Sequence, residues 1–486
     1  MSKIVILGAG IAGHTAAAHL RRKLSKEHEV LVVSPNRNYQ WVPSNIWVGI
    51  GRMKVKEVIF PLEPLYKRKG IGYKQAQVIS FHPEGDTSEV KPYVLVEYVF
   101  GERKGIQEKI IYDFLINATG PKLAFDMTEG LIPGTNKTFS VCTYDHASHA
   151  STGLHDLIRE IKTTNKKAKI LIGTGHAKAT CQGAAFEYIL NVEKELVKFG
   201  VRDKVDLTWI SNEYSLGDFG MDGMLLSYGN NIMKSSEMVE IVFEDRGIKW
   251  ILGAGINKIE NGIAHYENLE GEYKTEVFDF AMLIPAFSGH GFKAFDKNNT
   301  DITEKLFKGF MIVDADYSPK PYEEWTVQDW PETYQNPSYP TIFAPGIAFA
   351  PPHSISKPRK SKNGTDIFPS PPRTGMPSGI TAKLVADNII DSIKSGQMSL
   401  HHKGSMGNMG AACIASAGFG MTQGSGISIT TFPIVPDYIK YKNTHGRDLK
   451  KTFGDIGLAG HWVKLTLHYA FLYKAKMKPF WWLIPE

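Results

Sequence analysis

Cysteine is scarce in this chain. Three residues of 486 carry a thiol, Cys142, Cys181 and Cys413, and they stand far apart. That spacing excludes a C-x-x-C metal knuckle and a disulfide-stapled mini-domain, and no metal site is expected. Long apolar runs are missing too. Nowhere do the roughly eighteen uninterrupted apolar residues of a bilayer-spanning helix occur, so any membrane contact is expected to be peripheral. Nor is there a block of like charge: 56 Lys and Arg face 50 Asp and Glu, a net +6, which argues against a nucleic-acid partner. At the start, Met1-Ser2-Lys3-Ile4-Val5-Ile6-Leu7-Gly8 runs straight into a strand and its turn, so no signal peptide is expected. What remains is a globular chain long enough for two or three domains.

The apolar residues 4–7 read as a strand, Gly8-Ala9-Gly10-Ile11-Ala12-Gly13 as a turn, residues 15–22 as the start of a helix, and residues 29–33 as the next strand. In that order a G-x-G-x-x-G motif lets backbone amides approach a pyrophosphate at a helix end. Gly8, Gly10, Ile11, Ala12 and Gly13 are therefore candidate dinucleotide contacts. At the tip of the second strand Ser34-Pro35-Asn36 replaces the acidic residue that would grip an NAD ribose; Ser34 and Pro35 are taken as contacts, and NAD is disfavoured there. Residues 114–121, ending Ala118-Thr119-Gly120-Pro121, match the small-residue turn that passes close to FAD in two-domain flavoproteins, which makes Thr119 and Gly120 candidates. Residues 341–346, ending at Gly346, then Arg373-Thr374-Gly375 and a helix over 381–395, read as the return segment that covers the flavin. The usual G-D pair is absent, because Ile347 follows Gly346.

A second dinucleotide-like unit starts at residues 169–175, but Lys178 occupies the third glycine's place. That argues against a nicotinamide dinucleotide, while Glu213, after a strand over 206–210, argues for one. Cys181 opens the following helix, whose N-terminus favours thiolate, the reactive form. The stripe Ala185, Ile189, Val192 and Leu196 should pack that helix on the sheet. Residues 317–340 and 353–372 read as long irregular loops. The expected architecture is α/β with two Rossmann-like domains: an FAD domain over 1–140, a second domain over 141–335, a return segment over 336–397, and a C-terminal membrane-associating region over 398–486.

These residues resemble the sulfide:quinone oxidoreductases, within a larger group that also holds flavocytochrome c sulfide dehydrogenase and type II NADH dehydrogenases. The resemblance covers nearly the whole length. It rests on Trp41-Val42-Pro43-Ser44-Asn45, on Cys142-Thr143-Tyr144-Asp145-His146, on Cys181 with Glu187 and the helix through Leu196, on Arg373-Thr374-Gly375, on Ala412-Cys413, and on the tail from His461 to Lys474. Departures are Asp218, where the family has a histidine in a Gly-His segment, Ile414 after the last cysteine, and a longer 353–372 loop.

The resemblance implies FAD, with Val42, Asn45, Val78 and Thr374 among its contacts, and oxidation of sulfide to sulfane sulfur or polysulfide. Sulfide is a two-electron donor, and thiol–disulfide exchange can carry its sulfur. Cys181 and Cys413 are the expected redox pair. Cys142 assists sulfide access or binds FAD covalently. Glu187 is the candidate base, with His146 a further proton carrier. Electrons are expected to leave to a membrane quinone, for which Phe432 and Phe471 are candidate walls. Trp462, Leu465, Tyr469, Leu472 and Tyr473 share one helical side; with Lys464, Lys474, Lys476 and Lys478 as a cationic rim, they read as a peripheral membrane face. Family members assemble as dimers or trimers at the bilayer, so a homo-oligomer is expected. The alternatives are a type II NADH:quinone dehydrogenase, a flavoprotein feeding cytochrome c, and a flavin-binding scaffold without turnover.

Overall fold

The computed structural model describes residues 1–373, 375–418, 422 and 424–486. Its first sheet is all parallel, in the order Ile342–Phe343, Phe114–Asn117, Lys3–Leu7, Glu29–Val33, Gly72–Lys74. Residues 4–7 and 30–33 in its central strands are all Val, Ile or Leu and all buried, the setting in which parallel strands lose their alternation. Helix Ile11–Lys23 packs against helix Gly375–Ser395 beside this sheet, so the last third of the chain returns to complete the first unit. That returning helix begins six residues earlier than its periodicity suggested.

A second parallel sheet runs Thr138–Phe139, Phe280–Ile284, Ala168–Thr174, Val205–Ile210, Lys249–Ile251. Helix Gln182–Lys198 lies on it, and Ala185, Ile189, Val192 and Leu196 are all fully buried, as their spacing required. This is the expected α/β arrangement of two Rossmann-like sheets.

The third sheet joins distant parts of the chain. Its order is Asn231–Lys234, Leu225–Tyr228, Phe453–Gly457, Ser425–Thr431, Ala411–Ala417. Helix Leu458–Ala475 packs on its last two strands, and helix Gln182–Lys198 meets strand Ala411–Ala417. The close crossing needs glycine: a Cβ on Gly426 would lie 2.3 Å from the His461 amide nitrogen. Among the described residues no helix is long and apolar enough to cross a membrane.

One expectation about the C-terminal helix fails. Trp462, Tyr469 and Tyr473 do face outward, but Leu472 is buried, and Lys464 and Lys474 turn inward rather than forming a rim. Lys474 is paired with Glu486 at 2.8 Å, which also accepts from His19 on the first helix. The helical repeat explains the split: positions 464 and 471 lie seven apart on one face, and 462 and 469 on another.

Candidate functional site

A mostly apolar cavity of about 1390 Å³ connects the first glycine turn to all three cysteines. A drug-sized site occupies about 300–1,000 Å³, so this one has room for a large ligand.

At one end stand Gly8, Gly10, Ile11, Ala12, Ser34, Pro35, Thr119 and Gly120. Gly8 has φ +97°, and a Cβ there would fall 2.3 Å from the Ala118 carbonyl oxygen, so two turns meet backbone to backbone. A Cβ on Gly10 would meet nothing within 4 Å; this glycine leaves the head of the Ile11–Lys23 helix open to the cavity. The first amides of a helix have no intrahelical acceptor, which makes this end suited to an anion. Thr119 is held by the Asn117 side chain, to which its hydroxyl donates at 2.8 Å. Val42, Val78 and Gly375 also line the cavity.

Three candidate contacts lie behind the wall instead. A Cβ on Gly13 would fall 2.1 Å from the Gly8 oxygen, so this glycine lets helix and turn pack. Gly346 presses on Ala12 and donates its amide to the Thr381 hydroxyl at 2.8 Å. Asn45 is buried and donates to the Val141 carbonyl at 3.0 Å. These act through packing rather than contact. Thr374 lies outside the described residues.

At the other end the three cysteines share the cavity wall. Cys181 caps the Gln182–Lys198 helix in the left-handed region, φ +69°, which aims its side chain off the helix axis; the thiol donates to the Arg373 carbonyl at 3.7 Å. Backbone of this kind in a non-glycine residue is costly and clusters at functional sites. Cys413, on strand Ala411–Ala417, packs over the same helix: a Cβ on Gly183 would sit 3.0 Å from its sulfur. All three are free thiols.

Their surroundings disfavour the thiolate that the helix end was expected to favour. Burial pushes the Cys181 thiol up to about 12, with Cys142 and Cys413 adding to the rise against the pull of Arg373. Burial likewise carries Cys142 up to about 11 against the Ser140 hydroxyl, and raises Cys413 against the pull of Lys464.

Glu187 places a carboxylate on the lining of the same cavity. One oxygen accepts the Ser416 amide at 3.2 Å and the other pairs with Lys464 at 3.0 Å. Burial raises its pKa while Lys464 opposes the rise. Lys464 was misread as a surface cation. Its seven-residue offset from Phe471 was the signal, since Phe471 lines the cavity, stacked on Trp41 with ring centroids 5.1 Å apart.

Two other candidates lie apart from the cavity. His146 sets its ring edge-on to Phe125 at 5.6 Å, and burial lowers its pKa. Its backbone amide donates to the capping Thr143 hydroxyl oxygen at 3.2 Å. Phe432 does not line the cavity either; Lys451 sits 4.3 Å from its ring centroid, and Thr431 and Ile434 form the wall there. Asp218 is also behind the wall, taking the Gly220 and Asp222 amides and the Ser356 hydroxyl.

Residues 2–188 match the family model described as pyridine nucleotide-disulphide oxidoreductase. The sulfide-quinone reductase of Aquifex aeolicus (strain VF5) is 28% identical over 392 residues, 81% of this chain and 77% of that protein. The mitochondrial sulfide:quinone oxidoreductase of Dictyostelium discoideum is 25% identical over 292 residues, 60% of this chain and 57% of that protein. Among solved structures, the sulfide:quinone oxidoreductase of Aquifex aeolicus superposes with a TM-score of 0.72 at 25% identity, over 98% of this chain and 92% of that one. NDH2 of Plasmodium falciparum, solved with NADH, shares the fold at a TM-score of 0.62 and 13% identity, over 98% and 96%. In sequence and fold this chain is similar to the sulfide:quinone oxidoreductases, and over residues 2–188 to the pyridine nucleotide-disulphide oxidoreductases.

Proposed function

We propose that this protein oxidises sulfide to sulfane sulfur through Cys181 and Cys413 and passes the electron pair by way of FAD to a membrane quinone. One observation carries the reading. Two cysteines 232 positions apart line one cavity together with the glycine turn at the head of the Ile11–Lys23 helix.

The residues fit FAD. Gly8, Gly10, Ile11 and Ala12 would take the pyrophosphate, Ser34 and Pro35 the adenosine side, and Thr119, Gly120, Val42, Val78 and Gly375 the remainder. FAD bound along the cavity would accept two electrons from sulfur and release them to the quinone. The chain's own groups handle sulfur and protons. With Cys181 and Cys413 joined as a disulfide, hydrosulfide attacks one sulfur; the S–S bond breaks, a persulfide forms, and the other cysteine leaves as thiolate. Transfer of the sulfane sulfur to a second hydrosulfide gives polysulfide and leaves the dithiol. The pair must then return to the disulfide before the next hydrosulfide, a two-electron oxidation that bound FAD would supply. Because burial disfavours the thiolates, Glu187 takes the thiol proton, and Lys464 holds that carboxylate in place beside Cys413. Cys142, on the same wall, assists sulfide access or tethers the cofactor.

Phe471 and Trp41 form the flat wall assigned to the quinone ring. Trp462, Val463, Tyr469, Tyr473, Phe480, Trp482 and Leu483 are exposed at the C-terminal end, a patch that suits the headgroup level of a bilayer. Peripheral attachment there, as a homo-oligomer, completes the proposal.

The test is sulfide-dependent reduction of a soluble quinone analogue by the wild-type protein and by Cys181→Ser and Cys413→Ser. Turnover lost in both variants with flavin still bound supports the scheme; turnover retained in both contradicts it.

A further inference from the structure

Two short stretches of chain meet at the corner of the cavity that holds Trp41 and Phe471. One is residues 41–44: Trp41 stacks on Phe471, Val42 and Pro43 line the cavity, and the Ser44 side chain turns back into the interior, fully buried. The other is helix Leu458–Ala475, where His468 stands one turn before Phe471 and also lines the cavity. The two run in step. Trp41 meets Phe471, and three positions along each chain the Ser44 Oγ lies 2.8 Å from His468 Nδ1.

The imidazole is 2% exposed and its plane is fixed, with Trp47 edge-on at 6.0 Å and Tyr469 edge-on at 4.9 Å. Burial lowers its pKa, Glu57 opposing and Lys476 and Lys464 adding to the fall, so at neutral pH the ring is uncharged and carries one N–H. Ser44 decides which nitrogen holds it. Among the described residues the Ser44 hydroxyl has no bonding partner besides His468, so its proton goes to Nδ1; the opposite arrangement would bury an O–H with no acceptor. Nδ1 is then the acceptor and Nε2 the donor. No described residue takes that donor, and Nε2 is not one of the sealed, unpartnered polar atoms of the interior, so it opens on the cavity that the ring lines.

A flat apolar wall with an N–H donor at its edge complements a ligand that is planar, apolar on its faces and an acceptor at its rim. A quinone has that form, since its carbonyl oxygens lie in the ring plane. We infer that His468 is the residue that recognises the acceptor quinone, its Nε2–H donating to one ring carbonyl oxygen beside the Trp41 and Phe471 wall, and that Ser44 is the positioning residue that keeps this proton on Nε2. The inference rests on the quinone reading proposed above and deepens it to a named donor. It also sets a preference: an acceptor with no rim oxygen leaves a buried N–H unpaired, which a site of this kind rejects.

The test uses the full-length, flavin-loaded protein and a soluble benzoquinone with a short alkyl tail, its binding followed by quenching of tryptophan fluorescence with no sulfide present. His468→Phe should weaken binding at least about tenfold, and His468→Gln, which keeps an N–H donor, should stay within about threefold of the wild type. Ser44→Ala should weaken it about threefold, and Ser44→Thr, which restores the hydroxyl, should recover it. Ferricyanide should reoxidise dithionite-reduced flavin at the wild-type rate in every variant. Undiminished quinone binding by His468→Phe overturns the inference, as does His468→Gln binding as poorly as His468→Phe. Ferricyanide rates that fall together with quinone affinity also overturn it, because they give His468 to the fold, and unchanged binding by Ser44→Ala overturns the part assigned to Ser44. A wild-type protein that binds no quinone is a separate failure, seen before any variant is compared: it removes the acceptor of the proposed function, and this inference with it.

Discussion

Cys181 carries three features at once: left-handed backbone at a helix cap, a half-buried place on the cavity wall, and a thiol pushed up to about 12. The reduced protein should therefore resist alkylation. Iodoacetamide at neutral pH should label Cys181 more slowly than a free thiol, with the rate climbing only as the pH passes well above 9. Fast labelling at pH 7 would refute the burial argument. Glu187 should be worth about 10²-fold in turnover, measured as the loss in Glu187→Gln with flavin content unchanged. A different carboxylate governs stability. Glu213 has its pKa raised by burial to about 8 from an ordinary 4.5, so the folded state holds a proton that the unfolded chain releases. Its stabilising uptake is complete below about pH 4.5 and is lost as pH rises toward 8. Glu213→Gln should flatten the fall of Tm over that window; an unchanged slope would show that the group is ionised in the fold.

At the scale of elements, the C-terminal helix has two faces with separate tasks. The inner one carries Lys464, Leu467, His468 and Phe471 into or beside the cavity, and the outer one exposes Trp462, Tyr469 and Tyr473. Removing Lys464 leaves Glu187 buried without its partner, so Lys464→Met should cost about 3 kcal/mol of stability by denaturant unfolding. Replacing Trp462, Tyr469 and Tyr473 by serine should abolish flotation with anionic vesicles and spare the reduction of a soluble quinone analogue. Loss of both together would assign the outer face to the fold instead. Sequence alone separated these faces imperfectly, because aromatic and cationic residues occur on both sides and only tertiary packing decides which side is wet. The central strands were far easier to read: residues 4–7 and 30–33 are unbroken apolar runs bounded by glycine or polar residues, a pattern with few other solutions.

Taken whole, the molecule brings its three cysteines to one cavity from three distant segments: the cap of the Gln182–Lys198 helix, the strand Ala411–Ala417, and the segment before helix Tyr144–Thr164. The family resemblance pointed to this meeting. Residue spacing could not, since 232 positions separate Cys181 from Cys413 and no local period connects them. For the same reason His146 and Phe432 were misplaced: proximity in sequence to Cys142 or to a cavity strand does not fix the direction of a side chain. The loop over 353–372 was legible as irregular, but its seat on the second glycine turn depends on backbone hydrogen bonds that composition does not encode.

The central claim is tested most directly by anaerobic titration of the purified, flavin-loaded protein at visible wavelengths. Sulfide should bleach the oxidised flavin band, a soluble quinone analogue should restore it, and NADH should leave it unchanged. Bleaching by NADH and not by sulfide, or sulfide bleaching that persists undiminished without both Cys181 and Cys413, would contradict the account.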